Sequence, residues 1–108
     1  MVAKFQIPLR IVLYQEGGEW IAHCLEFDLV GNGATRQDAI ASLSQAIRIQ
    51  VEESIDLNNP RNLFDPADGE YFHMFAKGKD IADARLTLEI EGVDAEGTSC
   101  REYEHAGA

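Results

Sequence analysis

Cysteines and basic residues are scarce in this sequence. Cys24 and Cys100 are its only cysteines, too few for a disulfide framework and too far apart for a metal-binding motif. Nine basic residues stand against 19 acidic ones, so the net charge of -10 disfavours binding to nucleic acid or to an anionic membrane. Long apolar runs are missing as well, because Gln6 and Pro8 interrupt the apolar segment 5–14. We therefore expect a cytoplasmic protein without a signal peptide or membrane span.

Motifs for cofactor or metal chemistry are also missing. Gly31 and Gly33 match only part of a dinucleotide-binding loop, and the carboxylate of Asp38 would repel a pyrophosphate there. Glu26 and Asp28 would share one face of a strand but have no third ligand for a cation, and the three histidines are scattered. We expect no cofactor, no metal and no catalytic residues, and hence no enzymatic activity.

One long amphipathic helix is the clearest feature that is present. Thr35 is a good N-cap, and Asp38, three residues later, suits a capping box and the positive end of the helix dipole. The apolar residues that follow are spaced by three and four and form one stripe: Ile40, Leu43, Ile47, Val51 and Ile55. Such a stripe needs a flat apolar partner, which predicts packing against a sheet.

The segment before this helix has the alternation typical of strands. Pro8 cannot donate to a ladder, so we expect the fully paired part of the first strand to begin after it. Gly17 and Gly18 predict a hairpin turn, with Glu19 to Phe27 as the returning strand. In that register Leu13 lies opposite Ala22 and Ile11 opposite Cys24. Glu16 would then face Glu19, a like-charge pair that leaves a longer loop possible.

The two faces of this hairpin differ. Small Ala22 and Cys24 favour one face as the surface that receives the helix. The reverse face is too apolar to be left in water, since it carries Val12, Tyr14, Ile21, His23 and Leu25. Either the later part of the chain covers it or another chain does. Because His23 and Cys24 point to opposite faces, a thiol site is not expected, and we interpret them as an interface histidine and a core cysteine.

The rest of the chain is less regular. Residues 29–34 predict a short third strand. Asp65-Pro66 resembles a second helix start, followed by Tyr71, Phe72, Met74 and Phe75, with Gly78 at the end. Leu86, Leu88 and Ile90 alternate with polar residues and predict a fourth strand, parallel to an earlier one. Residues 92–108 show no periodic apolar pattern, so we expect a disordered acidic tail.

The first half of the chain resembles the HicB-like antitoxin family. Residues 16–22 read Glu-Gly-Gly-Glu-Trp-Ile-Ala, similar to the family's hairpin motif. Gly33-Ala34-Thr35 leading into Asp38-Ala39-Ile40 and Ala46-Ile47 is similar to its helix entry, with aspartate where glutamate is usual. The resemblance covers residues 7–55. It implies a partial ribonuclease-H-like fold without the acidic metal cluster of true ribonuclease H enzymes.

The resemblance also implies a partner. Family members bind and neutralise a small basic HicA-like toxin that cleaves mRNA, and many carry a C-terminal DNA-binding module. Residues 92–108 are too short, acidic and irregular for such a module, so we expect no direct binding to nucleic acid.

Together these observations predict an α+β protein of order β-β-β-α-α-β, with residues 1–91 forming the HicB-like domain. The predicted function is an antitoxin-type binding protein that occludes a small basic toxin. The alternative is a solitary homo-oligomeric structural protein, a dimer or tetramer, that has no toxin. The predicted interface residues for either function are Val12, Tyr14, Ile21, His23, Leu25, Tyr71, Phe72 and Phe75.

Overall fold

The computed structural model describes residues 5–6, 8–56, 64–81, 93–94 and 98–104. They form an α+β structure with two helices and a five-stranded mixed sheet. The elements in chain order are β1 (Phe5–Gln6), β2 (Arg10–Glu16), β3 (Glu19–Cys24), β4 (Leu29–Gly33), α1 (Arg36–Asp56), α2 (Gly69–Lys77), β5 (Lys79–Asp80), β6 (Val93–Asp94) and β7 (Ser99–Glu102). The strand order in the sheet is β4-β3-β2-β7-β5, and β1 pairs separately with β6.

The β2–β3 hairpin has the predicted register. Gly17 and Gly18 both have positive φ, at 60° and 83°, as a two-residue turn of type I′ requires. Leu13 lies opposite Ala22, Ile11 opposite Cys24, and Glu16 opposite Glu19. The tight turn therefore tolerates the like-charge pair at its base, and the longer loop is not used.

Helix α1 also follows the prediction. The hydroxyl of Thr35 accepts a hydrogen bond from the amide of Asp38 at 3.1 Å, which caps the first turn. The stripe side chains of Ile40, Leu43, Ile47 and Val51 are all buried. They pack on the sheet face that carries Ile11, Leu13, Ala22 and Cys24. The backbone of α1 includes Ile55, whose side chain lies outside the description.

A glycine in β4 lets α1 lie directly on this strand. A Cβ atom at Gly31 would collide with the main-chain nitrogen of Leu43 and the carbonyl oxygen of Ala39. A Cβ atom at Gly33 would collide with the Cβ atom of Asp38 and with the backbone of Asp38 and Ala39. Strand and helix therefore meet backbone to backbone, which only glycine permits.

The C-terminal segment corrects the predicted strand count and order. We expected disorder from residue 92 onward, but β7 lies inside the sheet, parallel to β2 and antiparallel to β5. The predicted fourth strand at Leu86, Leu88 and Ile90 lies outside the described residues. The parallel neighbour of β2 is instead β7, whose buried Cys100 is opposite Ile11. Pairing with a strand some ninety positions earlier stabilises a segment that has no apolar pattern of its own.

Helix α2 begins three residues later than a start at Asp65-Pro66 implies. The amides of Asp65 and Ala67 donate to the carbonyls of Glu26 and Leu25, at 3.2 and 2.8 Å. These bonds hold the segment in an extended form against the turn after β3, so the helix begins at Gly69 with Asp68 as N-cap.

Candidate functional site

Helix α2 covers the sheet face opposite α1. Ala67 and Met74 are buried there against Val12, Tyr14 and Leu25. The side chains of Ile21, Tyr71, Phe72, Phe75 and Tyr103 surround this cluster and are partly buried. Of the two ways to cover the apolar face, the structure therefore has the one in which the chain itself supplies the cover.

The predicted interface residues divide into two groups by burial. Val12, Tyr14, His23 and Leu25 are buried, each at 6% exposure or less. They contact α2 and their own strands, so a partner could reach them only if α2 moved. The other four stay partly exposed at the surface: Ile21, Tyr71, Phe72 and Phe75. Their role in an interface remains a prediction.

The ring of Tyr71 is the centre of an acidic region. It contacts His23 at a tilt of 49°, with 4.2 Å between the ring centroids, and stacks at 6.3 Å on the ring of Tyr14. Partial burial raises the pKa of the Tyr71 phenol, and so do the nearby carboxylates of Glu70, Glu16, Asp68 and Asp28. We call these five residues, Tyr71, Glu16, Asp28, Asp68 and Glu70, the Tyr71 patch.

A buried polar network lies beneath the Tyr71 patch. The Nε2 atom of His23 is 2.8 Å from Oδ1 of Asp28, and its Nδ1 atom is 3.4 Å from the hydroxyl of Tyr14. With a neutral ring, Nε2–H donates to the carboxylate and Nδ1 accepts from the phenol, so both ring nitrogens are satisfied. Burial, followed by the charges of Tyr71, Glu16, Glu70 and Asp28, raises the pKa of Tyr14 to about 12, so its phenol keeps its proton at neutral pH.

Asp28 adopts an uncommon backbone conformation to reach the histidine. Its φ is 51°, the left-handed region that aspartate tolerates better than most residues. It lies in the turn between β3 and β4 and is the only non-glycine residue with positive φ in the part of the chain described. The turn therefore aims one carboxylate at a buried imidazole.

Two arginines fasten α2 to the sheet. The guanidinium of Arg10 lies 4.7 Å from the ring centre of Phe72, and that of Arg101 lies 4.6 Å from the ring centre of Phe75. Arg101 also donates to the carbonyl of Phe75 at 3.1 Å. Each stack adds a cation–π interaction to the apolar packing of the helix.

The arginines in the described ranges are all paired with carboxylates of the same chain. The pairs are Arg10–Glu26, Arg36–Glu102, Arg48–Glu52 and Arg101–Asp80. Outside these pairs, Lys77 and Lys79 are the exposed basic side chains among the described residues. Several exposed carboxylates make no ion pair there, including Glu16, Glu53, Asp56, Asp65, Asp68, Glu70 and Glu104. The remaining surface charge is therefore mostly negative.

The sites considered for catalysis or metal binding have other roles. Burial raises the pKa of the Cys24 thiol to about 12, so it is not a nucleophile at neutral pH. Glu26 bonds Arg10, and Asp28 bonds His23, which engages both carboxylates of the candidate cation pair. No group of three or more potential metal ligands occurs among residues whose positions are described.

A cleft of about 350 Å³ opens at the N-terminal end of α1. Trp20, Gln37, Ile40 and Ile81 contribute to its lining, and the guanidinium of Arg36 lies 4.7 Å from the Trp20 ring centre. Because Arg36 already pairs with Glu102, its charge is neutralised within the chain. The lining residues that the structure describes therefore offer a ligand no unpaired charged group.

Sequence reasoning found the aromatic residues of α2 but missed the carboxylates around Tyr71. Glu16 is the last residue of β2, Asp28 lies in a turn, and Asp68 and Glu70 flank the start of α2, so no spacing along the chain connects them. The arginine stacks on Phe72 and Phe75 were missed for the same reason.

Within the described ranges, neither helix has the length and apolar character that crossing a bilayer requires. Comparisons of this chain with protein-family models, with curated proteins and with solved structures gave no match.

Proposed function

We propose that this chain is a HicB-like antitoxin that binds a small basic HicA-like mRNA-cleaving toxin and neutralises it by occlusion. The observation that carries the proposal is the Tyr71 patch, where carboxylates from three parts of the chain raise the pKa of one partly exposed tyrosine. An aromatic face with carboxylates beside it suits the lysine or arginine side chains of a cationic protein.

Charge supports the same kind of partner. The net charge is -10, and the arginines of the described ranges are already paired within the chain. A basic partner would be attracted over a long range, and association would become slower as salt is added. A nucleic acid would be repelled.

The apolar part of the contact would come from the exposed edges of the aliphatic and aromatic side chains near α2. Ile21, Phe72 and Phe75 are partly exposed around the buried cluster. In protein interfaces aromatic residues of this kind supply most of the contact energy, while surrounding charges set orientation and association rate. Binding here would occlude the toxin without any catalytic group.

The fold is compatible with the proposed family. Three antiparallel strands, a helix and a further strand make up the partial ribonuclease-H-like fold, and β2 to β4, α1 and β7 are candidate counterparts. We therefore extend the proposal to that fold.

The test compares two variants with the same change in net charge. The patch variant carries Glu16→Gln, Asp68→Asn and Glu70→Gln. The control variant carries Glu53→Gln, Asp56→Asn and Glu104→Gln, at exposed carboxylates outside the patch. A small basic protein is first captured from the native host at low salt with the unmodified chain, and its cleavage of mRNA is measured with and without added chain.

We expect the unmodified chain to protect mRNA at equimolar ratio. The patch variant should associate with the basic protein at least about tenfold more slowly, because local electrostatic steering is lost. The association rate of the control variant should fall much less. The proposal is overturned if no basic ribonuclease is captured, if mRNA is not protected, or if both variants slow association equally.

A further inference from the structure

Strand β4 forms one edge of the five-stranded sheet. In the β2–β3 hairpin the two-residue turn makes Glu16–Glu19 a hydrogen-bonded pair, so alternate β3 residues, among them Ala22, direct their main-chain groups toward β4. Ala22 is opposite Gly31. It follows that Gly31 bonds to β3, while the N–H and C=O groups of Val30 and Asn32 point outward from the open edge.

This edge lacks the features that usually protect an edge strand. Leu29–Gly33 contains no charge and no proline, whereas β2, β3, β5 and β7 each contain charged residues. Val30 is 54% exposed on the α2 side of the sheet. In a chain of net charge -10, an uncharged strand whose outward main-chain groups bond to no described residue is the place where a second equally acidic chain can approach closely.

The neighbouring flank of α1 is also suited to close approach. Gln37 and Ile40 line the cleft with Trp20 and Ile81, which places their side of the helix toward the sheet interior. At 100° per residue, the opposite flank carries Ser42, Ala46 and Ile49, and the charged Glu53 follows about two turns beyond Ala46. It therefore faces the open side of β4. Ser42 and Ala46 are small, and Ile49 is 65% exposed.

We propose that a second copy of this chain binds to this edge, with β4 pairing antiparallel to β4 of the partner about a two-fold axis at Gly31. This register pairs the whole five-residue strand with itself and keeps both α1 helices on one side of the joined sheet. Val30 and the partner's Asn32 form one hydrogen-bonded pair, and symmetry repeats it, which satisfies the outward groups of both residues on each chain.

The two-fold axis places Gly31 opposite its own copy at a non-hydrogen-bonded position. Backbones approach most closely at such positions, about 4.5 Å between Cα atoms, and glycine has no side chain to obstruct them. The α1 flanks then meet through Ser42 and Ala46. This surface differs from the α2 face considered in the sequence analysis, and it does not depend on the proposed toxin partner.

Light scattering and sedimentation of the full chain test the association. We expect a dimer that becomes tighter as salt increases, because salt screens the repulsion between two acidic chains. A toxin complex would show the opposite salt dependence, so the two proposals can fail separately. Val30→Lys with Ile49→Lys should give a monomer that keeps its circular dichroism and melting behaviour, since both positions are exposed.

The control adds the same charge elsewhere, with Gln45→Lys on the outer face of α1 and His73→Lys on the exposed side of α2. It should remain dimeric. A monomeric unmodified chain at every salt concentration would refute the proposal, and so would a dimer that both double variants disrupt equally.

Cross-linking tests the register. In hydrogen-bonded antiparallel pairs the Cα atoms are about 5.5 Å apart, which suits a disulfide. A mixture of Val30→Cys and Asn32→Cys chains should form covalent heterodimers on oxidation, and neither chain alone should, because position 30 faces position 32. The native cysteines are buried and give little background. Pairing about Gly31 would be refuted by dimers that form no covalent link either in the mixture or with each variant alone.

Discussion

The two faces of the sheet are held by different kinds of interaction. On one face the 21-residue α1 packs aliphatic side chains against the sheet and touches the glycine backbone of β4. On the other, the nine-residue α2 is held by aromatic ring contacts and arginine–aromatic contacts, and it lies over the His23–Asp28 pair of the sheet. Packing on the first face depends mainly on side-chain volume, and packing on the second face depends mainly on side-chain orientation. A substitution that changes only volume should therefore have its larger effect beneath α1.

Adding one methyl group to a glycine of each region gives the largest contrast. Gly31→Ala places a Cβ atom against the backbone of Leu43 and Ala39, where no side-chain rotation can relieve the contact. We expect a loss of about 3 kcal/mol in the free energy of unfolding, the upper end for overpacking. In Gly69→Ala, at the start of α2, the added Cβ atom meets no atom within 4 Å. This substitution should raise the free energy of unfolding by about 0.5–1 kcal/mol.

Urea unfolding followed by circular dichroism measures both variants. Equal destabilisation by the two substitutions would show that α1 does not rest on the β4 backbone.

Removing the carboxylate of Asp28 tests the orientation-dependent face. Asp28→Ala leaves the buried Nε2–H of His23 without its acceptor and puts alanine at a positive φ, so we expect a loss of about 1–3 kcal/mol. Asp28→Asn keeps an oxygen acceptor, and asparagine tolerates this backbone conformation. The free energy of unfolding should therefore fall clearly less than in Asp28→Ala. The ¹⁵N chemical shifts of the imidazole report whether the His23 tautomer is kept. If asparagine is as damaging as alanine, a neutral oxygen acceptor is not sufficient and the charge of the carboxylate is required.

Titration to alkaline pH provides the mildest contrast, because Cys24 and Tyr14 keep their protons at neutral pH and stability there is unchanged. Burial is the main cause of two raised pKa values. The pKa of Cys24, beneath α1, rises from 9.0 to about 12, and the pKa of Tyr14, beneath α2, rises from 10.0 to about 12. The folded state therefore holds these protons more tightly than the unfolded state. Stability from Cys24 is complete below pH 9, that from Tyr14 is complete below pH 10, and both are lost as pH rises to about 12.

The measurement is the free energy of unfolding in urea from pH 8 to pH 12. Cys24→Ala should reduce the part of the decline that begins near pH 9, to which Cys100 also contributes because burial raises its pKa. Tyr14→Phe should reduce the part that begins near pH 10, to which Tyr71 also contributes because its pKa is raised. A decline of the same slope in both variants and in the unmodified chain would assign it to other groups.

Local patterns were sufficient to predict the part of the fold beneath α1. Two adjacent glycines fix a two-residue turn and hence the strand register, and the spacing of apolar residues fixes which side of α1 is buried. Ala22 and Cys24 are small because the helix lies close to them, so the sequence identified the correct face.

The second face could not be predicted in detail, because its contacts join distant segments. The start of α2 depends on hydrogen bonds from Asp65 and Ala67 to the turn after β3. Strand β7 has a single buried residue, Cys100, and its position depends on the edge that β2 offers. The Tyr71 patch likewise brings together residues from the end of a strand, a turn and a helix start. No periodic pattern marks such residues, since each is placed by tertiary structure.

The position of β7 has a consequence for how the chain folds during synthesis. Of the five strands in the sheet β7 is translated last, but it lies between β2 and β5 and bonds to both. The hairpin and α1 can form early from local contacts, whereas β5 has no neighbour in this sheet until β7 arrives. Closing the sheet requires contacts of long sequence separation, which slow folding. The nascent chain therefore exposes the free edge of β2 until residues 99–102 have left the ribosome.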